Sequence, residues 1–188
     1  MNVISQKIKT LCSDRNISAE ELSARSGLTL EKIKLIEDGD KIPSLSSLIK
    51  ISRGLGVRLG TFLDDSENIG PVLHRKSDRV ESATFSSQLS SSNTHMDFYS
   101  LAASKAARHM EPFLIDIHKN EEATSVSSTH EGEEFIFVLK GIVHIDYGKE
   151  KYILNQGDSI YYDSIIEHLV YTESNEDAQI LAVVYTPF

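Results

Sequence analysis

The chain has 188 residues, 40% of them hydrophobic and 25% charged, with a net charge of −9. That length suits one large domain or two small ones with a packed core; a single cysteine, Cys12, excludes an internal disulfide, and no stretch approaches the length of a membrane span. The charge is uneven, with ten Lys/Arg against seven Asp/Glu in residues 1–63 (net +3) and nine against twenty-one in residues 64–188 (net −12). A mildly basic head on an acidic body reads as two units, and only the head suits a polyanionic partner. Met1 to Lys7 lacks the apolar core of a signal peptide, so a soluble, cytoplasmic chain is expected.

Five helices are predicted first. Val3, Ile4, Ile8 and Leu11 form a helical stripe over residues 3–15. Cys12 lies inside this pattern and reads as a small buried apolar side chain. Asn16-Ile17-Ser18 breaks the helix, and Ser18 with Glu21 forms a capping box for a second helix over 19–26. Gly27 ends it. Leu28 is a buried hinge, and Thr29 caps a third helix that buries Ile33 and Ile36 and stops at Gly39. Pro43-Ser44 opens a fourth helix, 44–55, with Leu45, Leu48, Ile49, Ile51 and Leu55 on its apolar side. A short fifth helix covers about 58–63.

Two short helices joined through a glycine form a helix-turn-helix arrangement. Glu21 to Thr29, Ile33 to Gly39, Ile42 to Leu45 and Ile51 to Val57 together resemble the phage-repressor-like (Cro/C1, XRE) family over about residues 4–63. The resemblance implies that the third helix enters a major groove of an operator. The candidate DNA-binding residues are then Ser18, Thr29, Leu30, Glu31, Lys32, Lys34 and Lys41. Lysines donate to guanine edges, threonine serves a base or a phosphate, and Glu31 accepts from cytosine but repels phosphate. Lys41, in the loop after the helix, would neutralise a phosphate. The family often has Gln at the start of helix two, and here that place is Ala19.

Residues 64–84 read as a linker with a first short strand at Val72 to His74, and His74 and Arg75 as surface residues. Residues 85–188 form the second domain. Phe85 to His95 is serine-heavy and irregular. Strands are expected at 96–102 and 113–119, with alanine-rich Ser104 to His109 between them limited by Pro112. More follow at 135–139, 142–147, 151–154, 159–163, 168–172 and 179–186. Short strands at this spacing indicate an antiparallel sandwich or barrel.

The stretch His130 to Gly141 carries the chemistry. On a strand, Glu134, Ile136 and Val138 share one face and Phe135, Phe137 and Leu139 the other. His130 has even spacing from Glu134 and looks the same way. Both faces are apolar, so both need cover. His130, Glu134 and Gly141, with Gly157 and His168 further on, resemble the two cupin motifs over about 110–188. Asp163 and Ile165 stand where the second motif has Pro and Gly, and Ser128 stands where the first has its leading His. The resemblance implies a reduced ligand set of His130, Glu134 and His168 for a divalent metal, with iron, zinc, manganese and nickel all open. The remaining histidines, His95, His109, His118 and His144, belong to no motif. Tyr99, Tyr161, Tyr162 and Tyr171 are pocket-lining candidates, with core or surface packing the better reading for most.

The expected fold is thus an α + β two-domain chain: a five-helix helix-turn-helix bundle and an antiparallel cupin (jelly-roll) β-barrel. The expected function is a transcription regulator whose cupin domain senses a small molecule through the metal and dimerises through Phe135, Phe137 and Leu139. The alternative is a mononuclear non-haem iron enzyme, because the layout also resembles iron-dependent hydroxypropylphosphonate epoxidases. There the helical domain supplies a lysine, which aligns near Asn16 here, and a tyrosine near the site aligns with Leu101. Both departures count against the same phosphonate chemistry.

Overall fold

The computed structural model describes residues 3–39, 42–63, 70–78, 96–105, 108–118, 127–173 and 176–186. Lys41, His95, most of the linker and the serine-heavy segment lie outside them.

The helices come first: α1 (Val3–Asp14), α2 (Ala19–Ser26), α3 (Leu30–Glu37), α4 (Leu45–Leu55) and α5 (Gly60–Leu63). Helix α1 buries Ile4, Ile8 and Cys12, four residues apart on one stripe. Burial pushes the Cys12 thiol up to about 11, with Glu37 adding to the shift, so Cys12 is an inert core group. Helix α4 runs through the middle, with Leu48, Ile51 and Leu55 fully buried alongside Leu22, Ile33 and Ile36. Each such side chain stabilises the fold by about 1.5–3 kcal/mol. The predicted caps hold, since the Ser18 and Thr29 side chains accept from the backbone N–H groups of Glu21 and Lys32, and Ser44, expected as the first helical residue, instead caps α4 by accepting from Ser47 N–H. Helix α5 is shorter than the expected 58–63.

Eight strands follow: β1 (Met96–Ser100), β2 (Met110–Ile117), β3 (Glu133–Lys140), β4 (Val143–Tyr147), β5 (Glu150–Leu154), β6 (Ser159–Asp163), β7 (His168–Tyr171) and β8 (Ala178–Tyr185). They form a five-stranded sheet in the order β1-β2-β8-β3-β6 and a three-stranded sheet in the order β5-β4-β7. All the ladders are antiparallel. The expected antiparallel body is therefore present as two sheets. No ladder among the described residues closes them into a barrel. The alternation along β3 is as read from the sequence: Glu134, Ile136 and Val138 are buried, and Phe135, Phe137 and Leu139 are half-buried. The buried face packs with Phe113, Ile180 and Val184 of its own sheet and Val143 and Ile145 of the other.

Two local expectations change. Val72 to His74 is irregular rather than a strand; Leu73 is 72% exposed, so no apolar face forms there. His74 is half-buried rather than a surface residue, and both its ring nitrogens are buried with no hydrogen-bond partner among the described residues. As the limit at Pro112 implies, the described part of 104–109 is turn and irregular backbone. Arg108 holds that bend by donating to the Glu111 carboxylate at 2.6 Å and to the Lys105 carbonyl at 2.8 Å. No helix among the described residues is long and apolar enough to cross a membrane.

His118 ties the edge strand to the start of β8. Its Nε2 lies 2.8 Å from Asp97 and its Nδ1 3.1 Å from Asp177. The hydrogen bond to Asp97 raises its pKa above the ordinary 6.5; partial burial opposes this and Asp177 adds to it. The imidazolium form therefore favours the folded state. Its contribution is complete below the unfolded value and is lost as pH rises through the higher folded one. Thermal melts should show the wild type losing more Tm than His118→Gln between about pH 6 and pH 8.5. Parallel pH slopes would contradict this assignment.

Candidate metal centre and nucleic-acid interface

Three segments bring His130, Glu134 and His168 together. Glu134 is on the inner face of β3, His168 opens β7, and His130 lies in the segment leading into β3. Backbone hydrogen bonds lock these segments to one another. Ser128 and His168 exchange a pair at 2.7 and 2.9 Å, His130 N–H donates to the Ser164 carbonyl at 3.0 Å, and Ser164 N–H donates to the Gly132 carbonyl at 2.9 Å. Gly132, between the two motif residues, has φ +108°, and a Cβ there would lie 2.0 Å from the Tyr185 carbonyl oxygen. Only glycine lets the chain pass β8 this closely.

The three side chains offer donor atoms within 4.8 Å of one another, and all three residues are buried. His130 Nε2 lies 2.7 Å and His168 Nε2 3.5 Å from Glu134 Oε1. Each Nδ1 faces a backbone carbonyl, that of Glu131 at 3.0 Å and that of Ile166 at 2.8 Å. A carbonyl only accepts, so both Nδ1 atoms carry the proton. In the neutral rings both Nε2 atoms are then bare lone pairs aimed at a carboxylate. That arrangement needs a cation between the donors or a second proton on an imidazole. An Nδ1–H held by a backbone carbonyl is also the usual outer support of a metal-ligating histidine. The donor set therefore fits a divalent ion.

Further polar groups complete the surroundings of Glu134. Tyr162 donates to Oε2 at 2.8 Å and Ser164 donates to Oε1 at 3.2 Å. Burial alone would raise the Glu134 carboxyl, but hydrogen bonds from His130 and His168, and the charge they carry, hold it well below the usual carboxylate range. Burial lowers His168, but its bond to Glu134 and the carboxylate charge outweigh that and raise it overall. Burial and then the Glu134 charge push the Tyr162 phenol well above 10. The Tyr162 ring also packs 5.1 Å from His168 and 5.3 Å from Tyr147.

Sequence reasoning missed Ser164 and did not assign Tyr162, one of four pocket-lining candidates, to Glu134. The available signal was alternation: Ile160 and Tyr162 share a face of β6, and Tyr162 pairs directly with Glu134. Of the other histidines within the described residues, His144 stacks on Tyr171 at 5.3 Å and none joins a second group of three potential ligands.

The helix-turn-helix residues also have clear places. Gly27 takes the left-handed conformation at φ 71° and closes α2 with a bond to the Ser23 carbonyl. Two serines, not singled out from the sequence, stitch the turn: Ser23 Oγ donates to the Leu28 carbonyl at 2.6 Å, and Ser26 Oγ accepts from Leu28 N–H at 3.3 Å. Thr29, Glu31 and Lys34 are exposed on α3, with Leu30 and Lys32 half-buried beside them. Ser18 is exposed at the start of α2, and Lys34 lies 3.7 Å from Glu20.

Comparison with known proteins gives two matches within the chain. Residues 7–68 match the Cro/C1-type HTH DNA-binding domain, and residues 113–184 match the cupin domain. An uncharacterized HTH-type transcriptional regulator, y4dL, of Sinorhizobium fredii is 39% identical over 56 residues, which is 30% of this chain and 29% of that protein. The (S)-2-hydroxypropylphosphonic acid epoxidase of Streptomyces wedmorensis is 24% identical over 159 residues, covering 78% of this chain and 77% of that one. Among solved structures, an HTH_3 family transcriptional regulator from Vibrio cholerae superposes with a TM-score of 0.70 at 22% identity, over 98% of this chain and 96% of that one. A structure of Fe(II) HppE reaches 0.50 at 20% identity, with 97% of each chain covered.

Replacing Tyr162 with Phe removes the donor to Glu134 Oε2 in a buried setting. Urea denaturation of metal-free protein should show a loss of about 1–3 kcal/mol. An unchanged midpoint would mean that the phenol does not support the carboxylate.

Proposed function

We propose, for a chain that joins a Cro/C1-type helix-turn-helix domain to a cupin domain, that it is a DNA-binding transcription regulator whose cupin domain senses a small molecule through a divalent metal. The observation that carries this reading is the presence on one chain of an exposed α3 face and a buried two-histidine, one-carboxylate set. We assign residues 1–63 to the DNA-binding domain, 64–84 to the linker and 85–188 to the cupin domain, whose two sheets are the halves of a jelly-roll barrel. A regulator of this kind works in the cytoplasm.

Thr29, Leu30, Glu31, Lys32 and Lys34 are the groove-facing residues, with Ser18 and Lys41 near the phosphates. His130, Glu134 and His168 are the metal ligands. Iron, zinc, manganese and nickel all accept an imidazole–carboxylate set. A bound divalent ion would supply a positive centre with open positions for an effector's donor atoms. The protein's own part is to hold both imidazoles in the Nδ1–H tautomer and to hold Glu134 ionised through Tyr162 and Ser164. The half-buried Phe135, Phe137 and Leu139 of β3 form the dimer contact, which would set two recognition helices about 34 Å apart on successive major grooves. An effector alters operator affinity only if it binds the two arrangements of the heads unequally.

Footprinting on a selected operator should show two protected half-sites about one helical turn apart. Lys34→Ala should relax sequence discrimination at the base it reads, whereas Lys41→Ala should weaken binding across sequences and reduce the log–log salt slope by about one. Protection insensitive to every α3 substitution, or a monomer in sedimentation at micromolar concentration, would count against the regulator.

A second reading is favoured by the same donor set, which suits non-haem Fe(II) oxidation. Oxygen uptake by iron-loaded protein, absent in His168→Ala, would support it over the regulator.

A further inference from the structure

A cleft of about 170 Å³ lies between α4 and the body. Ile49, Lys50 and Arg53 line it from the helix, and Thr129, Glu131 and Ile165 from the other side. Its two cations differ. Arg53 is satisfied, because it pairs with the Glu131 carboxylate and donates to the Arg25 carbonyl at 3.2 Å. Lys50 is half-buried and makes no ion pair or hydrogen bond among the described residues. Its ammonium is the uncompensated charge of the cleft. Ile165, on the loop between β6 and β7, is 59% exposed beside this charge. A buried-edge cation next to bare aliphatic surface suits a molecule with an anionic end and an apolar body. The volume lies below the roughly 300–1,000 Å³ of drug-sized pockets, so the occupant is small.

We propose that this cleft is a binding site for a small organic carboxylate with an apolar body, held by Lys50 through its charge and by Ile165 and Ile49 through its carbon surface. The cleft borders the donor cluster, since His130 also lines it, but Lys50, Ile49 and Ile165, which would hold the ligand, are not among the three donors. The Glu131 carbonyl accepts from His130 Nδ1, while the Glu131 carboxylate holds Arg53. Arg53 in turn grips Arg25, two residues before the turn glycine Gly27. A carboxylate in the cleft offers Arg53 a second partner, so occupancy acts on the contact that joins the body to α2. That effect on operator binding rests on the regulator reading; the binding step does not.

The probe is benzoate, titrated calorimetrically into the full chain, with benzamide as its neutral counterpart. The expected result is saturable benzoate binding at about 1 mM or tighter, no benzamide binding, and at least a tenfold loss in Lys50→Gln. Ile165→Ser should weaken binding several-fold, and binding should survive dialysis against a chelator. Both substituted side chains are at least partly exposed, and circular dichroism checks that each variant is folded. Absence of saturable benzoate binding, equal affinity in Lys50→Gln, or loss of binding on chelation would each overturn the site. Intact benzoate binding with no operator footprint would leave the cleft standing and remove the regulator instead.

Discussion

An ionised carboxylate buried among apolar strands costs several kcal/mol unless charge and hydrogen bonds meet it. Glu134 is 9% exposed and is met on both oxygens. His130, His168 and Ser164 face Oε1, and Tyr162 faces Oε2. The body depends on this arrangement because its four partners come from four different places: the segment before β3, the end region of β6, the loop after it, and the start of β7. Removing the positive side of the cluster would leave the carboxylate stranded in the core. The two Nδ1–H groups are already committed to carbonyls, so the positive charge has to come from a second imidazole proton or from a metal ion. The second arrangement satisfies all three donors at once.

Backbone does much of the positioning. Ser128 stands where the cupin motif has a histidine, yet its backbone still exchanges two hydrogen bonds with His168. The position has lost a side-chain donor and kept its structural task. Gly132 lets the chain pass against Tyr185 between the first histidine and the glutamate. The bond pair through Ser164 then aligns the β6–β7 loop with the same segment. Departures from the second motif at Asp163 and Ile165 therefore do not separate His168 from the other two side chains.

The elements were legible where a single periodicity governed them. Caps at Ser18 and Thr29, and the stripe through Ile4, Ile8 and Cys12, follow from local spacing alone. The alternation of β3 likewise placed Glu134 inward and Phe135 outward. Val72 to His74 departs from the expected strand because two apolar residues in a row say nothing about whether a partner edge is available. The roles of Tyr162 and Ser164 were not identified because they come from lying opposite Glu134, a register that one strand's sequence does not encode. The Arg53–Glu131 contact joins residues 78 positions apart, and neither local pattern marks it. Sequence motifs thus named the three donors, and only the assembled sheets supply the groups that hold them.

The metal content of the full chain tests the central claim most directly. The protein would be purified without chelator, reconstituted anaerobically with divalent ions and analysed by mass spectrometry beside His168→Ala and Glu134→Gln. About one ion per chain in the wild type, with near-complete loss in both variants, is the predicted result. No uptake by the wild type, or equal uptake by all three proteins, would contradict the assignment of His130, Glu134 and His168 as a metal centre.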